Sequence, residues 1–228
     1  MKIKGVIFDL DGTILDSTWV WSRIDIDFLG KHGISVPEDY AKAIISMSFE
    51  DVARYTIERF SLTQTVEEVM DEWNRMARDS YAHEVTLKPG TKELLLWLQE
   101  QGIPAGIATS NSASLFVPCL KNNGIYDLFH SFTETGDVKR GKEFPDVYIK
   151  AAEKLGCKPE ECVVFEDIMP ALRAAKKGGF VTVGVRENKW NYAPAVFAEN
   201  CDFVISEIYE AISLLENANM IGGQDAGI

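Results

Sequence analysis

The stretch Ile3-Lys4-Gly5-Val6-Ile7-Phe8-Asp9-Leu10-Asp11-Gly12-Thr13-Ile14-Leu15-Asp16-Ser17 decides the fold. A run of strand-forming apolar residues stops at two aspartates two positions apart, and a glycine follows at once. In an extended chain, positions i and i+2 point to the same side, so Asp9 and Asp11 deliver both carboxylates to one place. Gly12 supplies the backbone freedom to turn sharply out of the strand. Two like charges held together favour protonation of one of them unless a cation intervenes. Such a pair suits one carboxylate as nucleophile or metal ligand and the other as acid or base. The competing reading is an ordinary turn, since Asp and Gly are common turn residues. A calcium-binding loop does not fit: its glycine is misplaced, and Val20 stands where its terminal Glu belongs.

Beyond Leu15 the pattern up to Leu87 is helical, with no convincing strand. Asp16 or Ser17 can cap a helix carrying Trp19, Trp21, Ile24 and Phe28, which ends near Gly30 or Gly33. Pro37-Glu38-Asp39 fits a first helical turn. Ser48-Phe49-Glu50-Asp51 and Thr65-Val66-Glu67-Glu68 are capping patterns, the second opening a helix to about His83. From Leu87 onward helices and strands alternate. Strands are predicted at 103–108, 131–133, 162–165, 180–185 and 203–205. Pro89-Gly90 opens a helix through Leu94, Leu95 and Leu98, stopped by Gly102, and further helices fall at 113–122 (which Pro118 should kink), 145–155, 171–177 and 208–215. The alternation predicts an α/β fold, a parallel sheet covered by helices on both faces. The helical stretch is then an insertion after the first strand. The expected organisation is a core of 1–15 and 88–216, an inserted all-helical domain of 16–87, and a flexible tail of 217–228.

Composition narrows the functional classes. At 228 residues, with 46% hydrophobic and 25% charged content, the chain suits one sizeable soluble domain with a modest insertion. A net charge of −12 with no basic stretch argues against nucleic acid and anionic membrane surfaces as partners. No apolar run is long enough to span a bilayer, and the N-terminus reads as strand rather than signal peptide. Cys119, Cys157, Cys162 and Cys201 form no CxxC pair, so free thiols in a reducing, cytoplasmic setting are expected. Oligomeric state is left open.

In open parallel sheets, ligands bind beyond the carboxyl ends of the strands. Asp9/Asp11, Thr109/Ser110 and Glu166/Asp167 all fall at such ends, and Lys142 lies in the loop after a fourth strand, beside Lys139 and Arg140. Up to three carboxylates with a backbone oxygen make a hard-oxygen site suited to Mg²⁺. A threonine hydroxyl, backbone N–H groups and a lysine can hold the other oxygens of a phosphoryl group, and catalysis then rests on positioning and electrostatics. A nucleotide P-loop is absent, as is a GxGxxG after a strand.

These elements, in this order, resemble the haloacid dehalogenase superfamily in its phosphatase-like branch, related to the β-phosphoglucomutase and phosphoglycolate phosphatase group. Asp9-Leu10-Asp11-Gly12-Thr13 looks like the first motif, Thr109 the second, Lys142 the third and Glu166-Asp167 the fourth. Gly141-Lys142-Glu143-Phe144-Pro145-Asp146 resembles the family's GKPxPD stretch, with Glu143 where Pro is usual. The resemblance implies a Rossmann-like core with an inserted helical cap, and a hydrolase of a small phosphorylated metabolite, sugar phosphates among the candidates. It implies that Asp9 attacks phosphorus to form an aspartyl-phosphate, and that Asp11 protonates the leaving oxygen and then deprotonates the incoming water. Mg²⁺ would be held by Asp9, the backbone carbonyl of Asp11, Asp167, and Glu166 directly or through water. Thr109 and Lys142 would bind phosphoryl oxygens, with Ser110 and Asn111 reaching substrate from the same loop as Thr109. An acid at position 11 argues against dehalogenation.

The chain departs from the branch in two places. Ile168 and Ala171 stand where Ser and Gly are frequent, so Ile168 brings no hydroxyl to the metal's surroundings. Ser46-Met47-Ser48-Phe49 aligns with a Gly-x-Ser-Arg stretch of the β-phosphoglucomutases and puts Phe49 in place of a phosphate-gripping Arg, which favours hydrolysis over mutation. Two other readings stand beside hydrolysis: a phosphosugar mutase, and a non-catalytic phosphometabolite sensor. Trp19 and Trp21 are candidates for the pocket or the core of the insertion. His32, His83 and His130 show no metal spacing, and Lys139 and Arg140 read as solvated loop charges.

Overall fold

The computed structural model describes residues 3–44, 47, 49–190 and 192–217. In chain order, β1 (Gly5–Phe8) and β2 (Leu15–Asp16) come first. The helices α1 (Val20–Lys31), α2 (Tyr40–Ile44), α3 (Phe49–Phe60) and α4 (Val66–His83) follow, then β3 (Thr86–Leu87). The remainder alternates: α5 (Thr91–Glu100), β4 (Ala105–Thr109), α6 (Ala113–Asn122), β5 (Ser131–Glu134), α7 (Asp146–Lys154) and β6 (Cys162–Glu166). It closes with α8 (Met169–Lys177), β7 (Val181–Val185), α9 (Pro194–Asn200), β8 (Phe203–Ile205) and α10 (Glu210–Asn217).

Six strands form one sheet in the order β5-β4-β1-β6-β7-β8, each neighbouring pair parallel. The chain builds outward from β1 to β4 and β5, then returns to lay β6 on the other side of β1. The strand order therefore reverses at β1, and such a switch point opens a crevice at the carboxyl ends. Every residue of β1, β4 and β6 is buried, as expected where helices cover a parallel sheet. Ile7, Ala108 and Val164 from those strands pack with Val147 and Tyr148 of α7 and Ala171 of α8. The six strands and the α/β class agree with the sequence pattern.

Two compact units divide the chain: the described residues of Met1–Ser17 with Val85–Ile228, and Thr18–Glu84. The second unit is all helical. Ring contacts lead from the exposed Trp21 to Phe49 (5.6 Å), from Phe49 to the buried Trp73 (5.7 Å) and from Trp73 to the buried Phe28 (5.5 Å). The α4 capping box forms in full, Thr65 Oγ1 accepting from Glu68 N while Glu68 accepts from Thr65 N.

The structure corrects several details. Residues 16–87 are not helical to their ends, because β2 and β3 pair as an antiparallel ribbon, Leu15 opposite Leu87 and Asp16 opposite Thr86. Two-residue strands are too short to leave an alternating pattern. Neither Asp16 nor Ser17 caps α1, whose N-cap is Trp19. Pro37 precedes α2 rather than opening it. The helix α9 has no counterpart in the sequence reading. Ser46 and Ser48 of the mutase-like stretch, and residues 218–228 of the tail, lie outside the described residues; Phe49, the first residue of α3, is packed on Trp21 and Trp73.

Gly90 joins the ribbon to α5 with φ of +89°, and a Cβ there would lie 2.4 Å from the backbone N of Tyr209. Both the dihedral and the clash oppose any side chain. Gly90→Ala is expected to lower unfolding free energy by about 2 kcal/mol, measured by urea titration. A loss below about 0.5 kcal/mol would contradict this packing.

Candidate active site

The site begins where β1 ends. Asp9 N still donates to Phe165 O of the neighbouring strand at 3.0 Å, so Asp9 keeps sheet register. The chain then winds about one carbonyl: Leu10 O accepts from Thr13, Ile14 and Leu15 N–H at 3.2, 3.0 and 2.9 Å, and Gly12 sits at φ of +84°. β1 itself ends at Phe8, and Asp11 forms an isolated bridge with Leu15 inside the turn.

Asp9 lies in a buried cluster. Strand β6, beside β1, brings Glu166 and Asp167 to the same end, and carboxylate oxygens of Asp9, Glu166 and Asp167 lie within 4.8 Å of one another. Lys142, only 6% exposed, bonds Asp9 Oδ1 and, at 2.6 Å, Glu166 Oε1. Its loop is braced by Arg140, which grips Asp146 through two bonds of 2.8 and 2.6 Å and lies 4.1 Å from the Phe144 ring centroid. Arg140 is therefore not merely a solvated charge.

Glu166 is saturated. Besides Lys142, its Oε1 accepts from the Tyr148 hydroxyl at 2.9 Å, and Oε2 accepts from the N–H groups of Asp167 (2.8 Å) and Ile168 (3.3 Å). Asp167 has a different set of donors. Trp190 Nε1 donates to its Oδ2 at 2.5 Å, and Thr13 Oγ1 lies 3.4 Å from its Oδ1 and 3.2 Å from Asp9 Oδ2.

Asp11 is half-buried, with one carboxylate oxygen accepting from Ser17 Oγ (2.6 Å) and the other from Asn111 Nδ2 (2.9 Å). Its carboxylate is not part of the three-acid cluster. Asn111 thus supports Asp11 in this structure, whereas the sequence suggested contact with substrate. Thr109 at the end of β4 is fully buried and accepts from Asn111 N at 3.0 Å, which leaves its own O–H to donate. Ser110 is exposed.

Four participants escaped the sequence reading as such: Thr13, Ser17, Tyr148 and Trp190. Thr13 and Ser17 lie inside the opening stretch, and their hydroxyls were the available signal. Tyr148 sits on the buried stripe of α7 and Trp190 in the loop after β7, where nothing local marks either as part of a site.

Three buried carboxylates face one ammonium, leaving two negative charges without protein compensation. Burial, then the Glu166 charge, push the Asp9 carboxyl up to about 7, against the pull of Lys142. Asp167 moves the same way, through burial and the charges of Glu166 and Asp9. Burial alone would lower the Lys142 pKa, but Asp9 and Glu166 reverse the sign and raise it. Tyr148 stays a phenol, its pKa driven well up by burial first and the same carboxylates next. This all-oxygen donor set with two surplus charges fits a hard divalent cation. Asp9 and Asp167 keep coordination capacity that Glu166 has spent on four donors.

Comparison with known proteins gives the same reading of the fold. The family described as haloacid dehalogenase-like hydrolase matches residues 6–185. A Drosophila melanogaster protein named "Probable pseudouridine-5'-phosphatase" is 28% identical, over 89% of this chain and 92% of its own. Hexitol phosphatase A of Escherichia coli is 30% identical over 81% of this chain and 84% of its own. Among solved structures, CbbY from Rhodobacter sphaeroides in complex with phosphate superposes with a TM-score of 0.74 at 22% identity, covering 91% of this chain and 96% of that one. No helix among the described residues is long and apolar enough to cross a membrane.

The raised Asp9 pKa has a consequence for metal-free protein. Between the ordinary carboxyl range and about 7 the folded state holds the Asp9 proton and the unfolded state has released it. Unfolding free energy therefore falls as pH rises through that window: the contribution is full at the acid end and lost above the folded pKa. In EDTA the melting temperature is expected to drop from pH 5 to pH 8, and Asp9→Asn to flatten the slope. Equal slopes for both proteins would contradict the assignment.

Proposed function

The chain belongs to the haloacid dehalogenase-like hydrolases, and we propose that it is a Mg²⁺-dependent phosphatase of a small phosphorylated metabolite. The observation that carries this reading is the unequal environment of the two aspartates in one turn. Asp9 is buried among charges, with Lys142 on Oδ1 and Thr13 on Oδ2. Asp11 is half-buried and held by neutral donors, Ser17 and Asn111. Two carboxylates in different surroundings can take different roles.

In this reading Asp9 is the nucleophile. Its attack on phosphorus forms an aspartyl-phosphate as the ester oxygen leaves, and Asp11 gives that oxygen its proton. Asp11 then takes a proton from water, which attacks the aspartyl-phosphate and frees inorganic phosphate. Thr109 O–H and Lys142 donate to phosphoryl oxygens, and Lys142 offsets part of the charge on Asp9. Asp9, Asp167 and the backbone carbonyl of Asp11 would hold Mg²⁺, whose positive charge would favour ionised Asp9 and offset charge on the phosphoryl group. Glu166 orients Lys142 and Tyr148 rather than binding the cation directly.

The names of the two relatives point to phosphate esters of a nucleoside and of a polyol. What they share is a phosphoryl group on a small hydroxylated molecule, and that is the substrate class proposed here. The all-helical unit, read as a cap, would choose within it. Four free cysteines suit the reducing, cytoplasmic setting expected for such an enzyme.

Purified protein tested on a panel of phosphorylated metabolites is expected to release phosphate with Mg²⁺ and to stop in EDTA. Asp9→Asn should abolish turnover, and Asp11→Asn should slow it by about 10²–10⁴-fold. Release that survived both EDTA and Asp9→Asn would overturn the mechanism. An isomerised sugar phosphate without net phosphate release would establish a mutase instead.

A further inference from the structure

Asp167 is 2% exposed and sits beside two other acids, yet the site's lysine is spent on Asp9 and Glu166. The next residue, Ile168, brings no hydroxyl. The short contact on Asp167 comes from 23 residues further along, where Trp190 Nε1 donates to Oδ2 at 2.5 Å. We propose that Trp190 is a positioning residue for the divalent cation: it fixes Asp167 by one oxygen so that the other faces the metal. The inference rests on the Mg²⁺-dependent reading above.

The chemistry of the donor supports this role. An indole N–H only donates, so it can neither ligate the cation nor take a proton. It is also neutral. An ammonium in its place would cancel one of the two surplus charges that make the cluster attractive to a dication, whereas the indole orients the carboxylate and leaves that surplus whole.

The loop that carries Trp190 is anchored away from the site. Arg186 N donates to Ile205 O at 3.0 Å, which ties the loop's start to β8. Glu187 pairs with Lys88 at 2.5 Å, with both side chains under 15% exposed at 12% and 14%. Glu187 also accepts, through its carbonyl, from Trp190 N at 3.2 Å. Lys189 Nζ lies 5.2 Å from the indole centroid. The Lys88–Glu187 pair thereby holds the backbone from which the indole reaches Asp167.

Calorimetric titration of EDTA-stripped full-length protein with Mg²⁺ tests the role directly. Trp190→Phe is expected to weaken Mg²⁺ binding about tenfold, and Trp190→His, which keeps a ring N–H, to recover part of it. At saturating Mg²⁺ the KM for a phosphoester substrate should match wild type. The Mg²⁺-induced change in tryptophan emission should vanish in Trp190→Phe although four of the 5 tryptophans remain. Should Trp190→Phe fail to fold, Glu187→Gln loosens the loop without touching the cluster, and weaker Mg²⁺ binding there is the expected result. Mg²⁺ affinity within about twofold of wild type in the folded variant would overturn the proposal and leave the phosphatase reading standing. Wild-type protein that binds no Mg²⁺ would overturn both.

Discussion

The rest of the core is arranged around one buried ammonium. Lys142 lies inside the protein with Asp9 and Glu166 on it. Taking a charge out of water is tolerable only when it is paired and its remaining hydrogen-bond capacity is filled. Asp9 and Glu166 pair the ammonium and take two of its three donors, and the proposed phosphoryl oxygen would take the third. Arg140 and Asp146 brace the loop that delivers the lysine, while Tyr148 and two backbone N–H groups fix the glutamate it bonds. Removing Lys142 would leave both acids buried without a counter-charge, which costs far more than the pairing contributes. The pair's value is therefore chiefly geometric: Asp9 is held at the mouth of the switch point by a partner that cannot move.

Neighbouring acids take separate tasks for a related reason. Glu166 is the last residue of β6 and fully buried, so its carboxylate belongs to the interior network. Asp167 is one residue later, beyond the strand, and receives its donors from the opening turn and from the loop after β7. One acid makes the scaffold rigid and the other remains available to a cation. The two surplus negative charges then make the metal-free cluster a stored repulsion. Burial first, and that repulsion next, lift Asp9 and Asp167 above the ordinary carboxyl range, and a bound dication would relieve the repulsion.

Much of this was legible in the chain because it is written locally. An apolar run ending in Asp9-Leu10-Asp11-Gly12 is a strand running into a turn, and the later alternation of helix and strand implies that the other polar strand ends lie beside it. Thr65 and Glu68 announced their capping box for the same reason: the partners are three residues apart. What escaped depends on contacts across the fold. Tyr148 has the pattern of a core aromatic, and only the position of Glu166 under its hydroxyl makes it part of the site. Trp190 lies in a loop without periodicity. Ser17 looked like a cap for α1, but its hydroxyl turns back to Asp11. Asp9 and Asp11 do feel one another, since the Asp11 charge helps raise Asp9, but the Asp11 carboxylate lies outside the three-acid cluster.

The different surroundings of the two aspartates bear on the chemistry. Asp9 stays inside, where charges fix its position and its proton is contested by neighbouring acids. Asp11 moves to a half-exposed place where Ser17 and Asn111 aim its oxygens and add no charge of their own. Neutral donors orient the second carboxylate and a charged partner fixes the first, so the two can take different roles. The same five residues that end the strand therefore also divide the labour between its two acids.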